Sequence, residues 1–141
     1  MVLPGCGGGG ATSVTSTATS PTQAQAQAKT ASRAPCPSQV DAFVRSLDEL
    51  RKQLAVGLSY DQYTARVKTL GASYGKLPIE RLDLACLAAS GTAGERSFNK
   101  YVDAANAWGE CLADASCDTA TIEPVLQRKW RLASHSLSEA R

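Results

Sequence analysis

The sequence predicts an all-α fold: an up-down four-helix bundle with a short extra helix, preceded by a disordered N-terminal tether. Three observations predict it. Apolar residues after Pro37 recur at steps of three and four, the period of one helix face. Glycines, prolines and Ser/Thr-x-x-Glu/Gln patterns interrupt that period at intervals, as helix ends do. The composition also changes sharply near position 36: residues 7–35 are almost entirely Gly, Ala, Ser, Thr, Gln and Pro, without one aromatic side chain. The 141 residues thus divide into a tether, 1–35, and one modest domain, 36–141.

The tether is expected to stay disordered because it cannot bury enough apolar surface to offset its ordering entropy. A flexible chain of that length spans roughly 30 Å. Its Ser, Thr and Pro content permits O-glycosylation without demonstrating it.

The first helix is expected over 39–56, with Val40, Phe43, Val44, Leu47, Leu50 and Leu54 on one face. Ser38 is placed as its N-cap and Gly57 just past its end. Ser59 and Gln62 have capping-box spacing, and Leu58 and Tyr63 stand where a hydrophobic staple would. The second helix then carries Tyr60, Tyr63, Val67, Leu70 and Tyr74 until Gly75, and Pro78 blocks its continuation. With only Gly57 and Leu58 between them, these two helices should form an antiparallel hairpin. Residues 79–90 are expected to make the short helix. Gly91 should end it, because Thr92-Ala93-Gly94-Glu95 has the form of a second capping box. The third helix should run over 93–114 with Phe98, Tyr101, Ala105, Trp108 and Leu112 inward. The fourth should start after Thr121, tolerate Pro124 in its first turn, and bury Val125, Leu126, Trp130, Ala133 and Leu137.

Four cysteines lie in this domain, and four allow three pairings. Cys111 closes the third helix and Cys117 precedes the fourth, so they meet at one corner. Cys36 opens the first helix, and the second helix returns the chain to that end shortly before Cys86. Pairing Cys36 with Cys111 or Cys117 would have to cross the bundle, whereas bridged Cα atoms lie only ~4.4–6.8 Å apart. The expected bridges are therefore Cys36–Cys86 and Cys111–Cys117, which would place the domain in an oxidising compartment. Zinc binding fits these spacings poorly. Buried reduced thiols are the remaining alternative.

The charge pattern bounds the partners. All 13 acidic residues and 13 of the 15 basic ones follow position 36, so the folded part is formally neutral. It offers no footprint for nucleic acid, whose phosphates need clustered Lys and Arg. Arg128, Lys129, Trp130 and Arg131 are read as an amphipathic helix with its tryptophan inward rather than as a membrane patch. The one histidine, His135, is placed near a helix end as a cation meeting the dipole. No nucleophile, acid–base pair or phosphate loop is recognisable, so no enzymatic activity, cofactor or metal is expected. The candidate partner contacts are Tyr60, at the start of the second helix, and the polar stripe Asn99, Asp103, Asn106 and Glu110 on the third.

The run Leu3-Pro4-Gly5-Cys6 resembles the lipobox of bacterial lipoproteins. That resemblance implies lipidation of Cys6 and an extracytoplasmic domain anchored to the outer face of the cell membrane. Met1 and Val2 do not supply the basic start and the apolar stretch of ~7–15 residues of a signal peptide. The expectation is that the rest of the leader lies upstream of Met1. Phe98-Asn99-Lys100-Tyr101-Val102-Asp103-Ala104-Ala105-Asn106-Ala107-Trp108 and Cys111-x₅-Cys117 are also similar to segments of small secreted lipoproteins of high-GC Gram-positive bacteria. This second resemblance covers about residues 36–139 and implies a helical envelope domain, with no activity or functional residue to carry over. The function expected is a non-enzymatic binding or structural module whose partner is an envelope protein or the cell wall. Two alternatives stay open: a cytosolic helical interaction protein, should Met1 be the start, and an envelope enzyme that depends on a partner.

Overall fold

The computed structural model describes residues 36–140, and it is helical without a strand among them. The lipidation expected at Cys6 and the tether 1–35 lie outside the described residues.

Helix α1, Ser38–Val56, forms because Val40, Phe43, Val44, Leu47 and Leu50 make a continuous buried stripe. Its start differs from expectation. Pro37 occupies the cap position, and Ser38 is the first helical residue with no capping hydrogen bond. The proline carbonyl accepts from the Val40 amide at 2.9 Å, and the fixed proline φ already directs the chain into the helix. Gly57 ends α1 as expected. Its φ of 109° belongs to the region that glycine enters without a Cβ penalty, and its amide reaches the Gln53 carbonyl at 3.0 Å.

Helix α2, Tyr60–Tyr74, begins with the expected reciprocal cap. The Gln62 amide donates to the Ser59 hydroxyl at 3.3 Å, and the Ser59 amide to the Gln62 side chain at 3.0 Å. Tyr63, Val67 and Leu70 are buried. Beyond Pro78 comes a 3₁₀ turn, Ile79–Arg81, and then one α-helical turn, Leu84–Cys86, capped by Asp83.

The expected break at Gly91 is absent. Leu87–Gly91 is a π-helical turn that leads straight into α3, Thr92–Ala113. Gly91 has ordinary right-handed helical angles, and no side chain caps α3. Tertiary ties explain the difference. Cys86 is bonded to Cys36 at one edge of the turn, and the Ser90 hydroxyl donates to the Ala140 carbonyl at 3.0 Å at the other. With both edges held, the surplus residue widens the helix instead of ending it. The helical run from Leu84 to Ala113 is about 45 Å long at 1.5 Å per residue.

Helix α4, Thr119–Glu139, starts before the expected Thr121, because Asp118 caps it. One Asp118 oxygen accepts from the Thr121 amide and hydroxyl, each at 2.8 Å. Pro124 therefore sits in the second turn, where its missing amide leaves the Ala120 carbonyl without the usual helical donor. The buried row is Leu126, Ala133 and Leu137, flanked by half-buried Ile122 and Trp130. Val125 lies beside that row and is 39 % exposed. Leu112 is 61 % exposed, because half-buried Cys111 takes the inward place in the last turn of α3.

Helices α3 and α4 run antiparallel along their length: Cys111–Cys117 joins them at one end, and Arg96 pairs with Glu139 at 3.6 Å near the other. Gly94 is buried where α3 passes α1, and a Cβ there would lie 3.5 Å from Val44 Cγ2, an ordinary contact distance. Phe43, Tyr74 and Phe98 tie α1, α2 and α3 together, with ring centroids 5.4–5.8 Å apart. Both cysteine pairs stand at disulfide distance in the expected pairing, each with Cα atoms 5.2 Å apart. No helix among the described residues is long and apolar enough to cross a membrane.

Candidate functional site

Helical spacing brings Tyr60 and Tyr63 of α2, Trp108 of α3 and Trp130 of α4 into one aromatic cluster. Their ring centroids lie 5.5–6.2 Å apart, mostly edge to face. Trp108 touches the other three rings, and Tyr63 is fully buried. Its hydroxyl donates to the Tyr101 carbonyl at 2.8 Å and accepts from Trp130 Nε1 at 3.1 Å. Burial pushes this hydroxyl well above the ordinary tyrosine range, against the opposing effect of the Trp130 hydrogen bond. Tyr63 is therefore a neutral structural pin, and it fixes the Trp130 indole with its N–H inward.

What Trp130 presents outward is apolar ring surface, and it does so in a groove between α1 and α4. Arg51, Leu54, Ala55, Gln127, Trp130, Arg131 and Ser134 line this groove of about 510 Å³. Its lining holds two guanidinium groups and no carboxylate. Arg51 donates its Nε to Asp48 at 2.9 Å, and its side chain is 41 % exposed. An indole face flanked by two guanidinium forks suits a carboxylate that carries an apolar neighbour.

A second, smaller apolar cleft of about 40 Å³ lies beside the π-helical turn, between Val40, Phe43, Tyr74, Leu77, Leu87 and Gly91 among others. Burial, and then the neighbouring Glu95 carboxylate, raise the Tyr74 hydroxyl. The cleft holds only a few water-sized volumes and is too small for an organic ligand.

The sequence-predicted contacts do not converge. Tyr60 is half-buried with its ring against Trp108, and its hydroxyl crowds Gly109. Asn99, Asn106 and Glu110 are exposed along one flank of α3, while half-buried Asp103 pairs with Lys100 at 3.5 Å. No group of three or more metal-ligating side chains is found among the described residues. Trp130 packs on the core, as its helical phase requires, and Arg128 and Arg131 face solvent. Sequence reasoning missed the groove because Arg51 and Arg131 meet only after α1 and α4 pack. The signal it had was Trp130 next to Arg131.

Comparison with protein-family models, with curated proteins and with solved structures finds no match for this chain.

Proposed function

We propose that the chain is a lipid-anchored, extracytoplasmic module with a non-enzymatic binding or structural role in the cell envelope. Its four helices form an up-down bundle on this reading. The observation that carries it is the geometry of the sulfur atoms. All four cysteines of the folded part stand in pairs at bonding distance, and such bridges persist in oxidising compartments. The pairwise packing of α1 with α2, α2 with α3 and α3 with α4 supports the bundle. The lipobox-like run ending in Cys6 supports the anchor, and the groove beside Trp130 gives the module a surface with which to bind a protein or wall component.

The test uses the full gene with its upstream codons, expressed in its own host. Alkylation of the non-reduced protein followed by mass spectrometry is expected to find Cys36–Cys86 and Cys111–Cys117 intact. Radiolabelled palmitate is expected to enter the protein and to be lost on Cys6→Ala. Five alkylated thiols, Cys6 among them, on a soluble, unlabelled product would overturn both parts and leave a cytosolic interaction protein as the reading.

A further inference from the structure

We propose that the domain associates with copies of itself, the disulfide-clamped corner between α3 and α4 of one copy seating in the α1–α4 groove of the next. The charges of this chain are segregated. Residues 101–127 contain Asp103, Glu110, Asp114, Asp118 and Glu123 and not one Lys or Arg. The groove is the complement: Arg51, which also pairs with Asp48, and Arg131 line it with Trp130, and its lining has no acidic residue.

The corner has the form of a preorganised plug. Cys111–Cys117 closes it, and the exposed Leu112 side chain projects from it. Asp114 is held by the Ser116 amide at 2.8 Å and hydroxyl at 2.7 Å, and Asp118 by Thr121. An ionised carboxylate accepts about four hydrogen bonds, so both keep capacity for a guanidinium from outside. Leu112 supplies the apolar contact that the Trp130 ring surface lacks. Little ordering entropy is lost on docking, because the bridge and these hydrogen bonds already fix the loop.

The occupant is a second copy rather than the corner of the same molecule. From Asp118 to Arg131 along α4 is about 20 Å at 1.5 Å per residue, so the corner cannot fold back into its own groove. A phosphate polymer is the weaker fit, since the folded part carries as many acidic as basic groups and polyanion binding needs a cationic excess. Each copy owns one plug and one groove, so the contact is heterologous and extends into chains or rings. A single corner in a groove is a small interface, of the size found in weak and transient encounters. Confinement of anchored copies to one surface would raise their effective concentration. The association itself does not depend on the anchor, and its test is made without one.

Sedimentation velocity on the oxidised full-length chain tests the proposal, with Cys6→Ala present so that no thiol cross-link imitates association. The weight-average mass should rise with concentration at low ionic strength and fall towards the monomer at about 0.5 M salt. Arg131→Glu and Asp114→Lys should each abolish the rise. An equimolar mixture of the two should associate again, because the intact plug of one meets the intact groove of the other and the two reversed charges are again opposite in sign. Should Asp114→Lys lose helicity by circular dichroism, Leu112→Ser probes the same corner without touching its hydrogen bonds. The proposal is overturned by a parent chain that stays monomeric at about 1 mM in low salt, by single variants that associate as the parent does, or by folded variants whose mixture stays monomeric.

Discussion

At one end of the Leu84–Ala113 helical run, Cys111–Cys117 closes a separation of six residues between two helix ends. At the other, Cys86 lies fifty residues from Cys36, with α1, α2 and an irregular stretch between them. Around the short bridge the local code is dense: Asp114 holds Ser116, and Asp118 caps α4 through Thr121. Around the long bridge it is sparser: Asp83 accepts from the Cys86 amide at 2.7 Å, but Pro37 gives no side-chain cap and a 3₁₀ turn and a π-helical turn replace regular helix. Where short-range hydrogen bonds already fix the chain, the bridge adds less. Where they do not, a long-range covalent tie organises the end.

Removing the bridges should show this difference most strongly. In the chain-entropy model, Cys36→Ala with Cys86→Ala costs about 4 kcal/mol, against about 2 kcal/mol for Cys111→Ala with Cys117→Ala. Urea unfolding of the two double variants measures the gap, and equal losses would remove the contrast. Tyr63→Phe comes next and tests the aromatic cluster between the two ends. It strands the Trp130 N–H and should cost about 1–2 kcal/mol. Because the Tyr63 hydroxyl is raised on folding, its proton leaves the unfolded chain first. Its contribution is complete below the ordinary tyrosine value of about 10 and is lost as pH rises beyond it. Alkaline titration of stability should therefore fall less steeply in Tyr63→Phe.

The helix starts sharpen the comparison on a smaller scale. Asp118→Ala should cost about 1 kcal/mol, while Ser38→Ala, at an end without a side-chain cap, should stay within about 0.5 kcal/mol. Thermal melts of both decide whether the short-bridge end is indeed the one with local support. The smallest effect is expected at Gly109→Ala. A Cβ there would come within 2.6 Å of the Tyr60 hydroxyl, and moving that flexible tip offsets a helix-propensity gain of about 1 kcal/mol. Stability should hardly change, while Trp108 fluorescence should report the displaced Tyr60 ring.

The same contrast explains what could be read from the sequence. The Ser59–Gln62 cap, the glycine after Val56 and the apolar stripes of α1 and α2 were legible because each depends on residues a few positions apart. The cysteine pairing was legible because helix lengths limit which ends can meet. Gly91, Thr92 and Glu95 gave a capping signal that the fold overrides, since Cys36 and the Ala140 carbonyl, both distant in sequence, hold the edges of that turn. Leu112 and Val125 fall beside the buried rows of their helices, where half-buried Cys111 and buried Leu126 take the inward places. Of the candidate site, only Trp130 and Arg131 were visible together. Arg51 and Leu54 join them through packing alone, which no local pattern encodes.

The Cys36–Cys86 bond also fixes how the domain bears mechanical load. A pull applied through the residues before Cys36 and resisted at Ala140 passes across the sulfur atoms and enters the helical run at Cys86. The segment between the two cysteines, which includes all of α1 and α2, is bypassed by the force. Fifty residues of extended chain, roughly 170 Å, thus stay stored under tension, and reduction of one bond would release them.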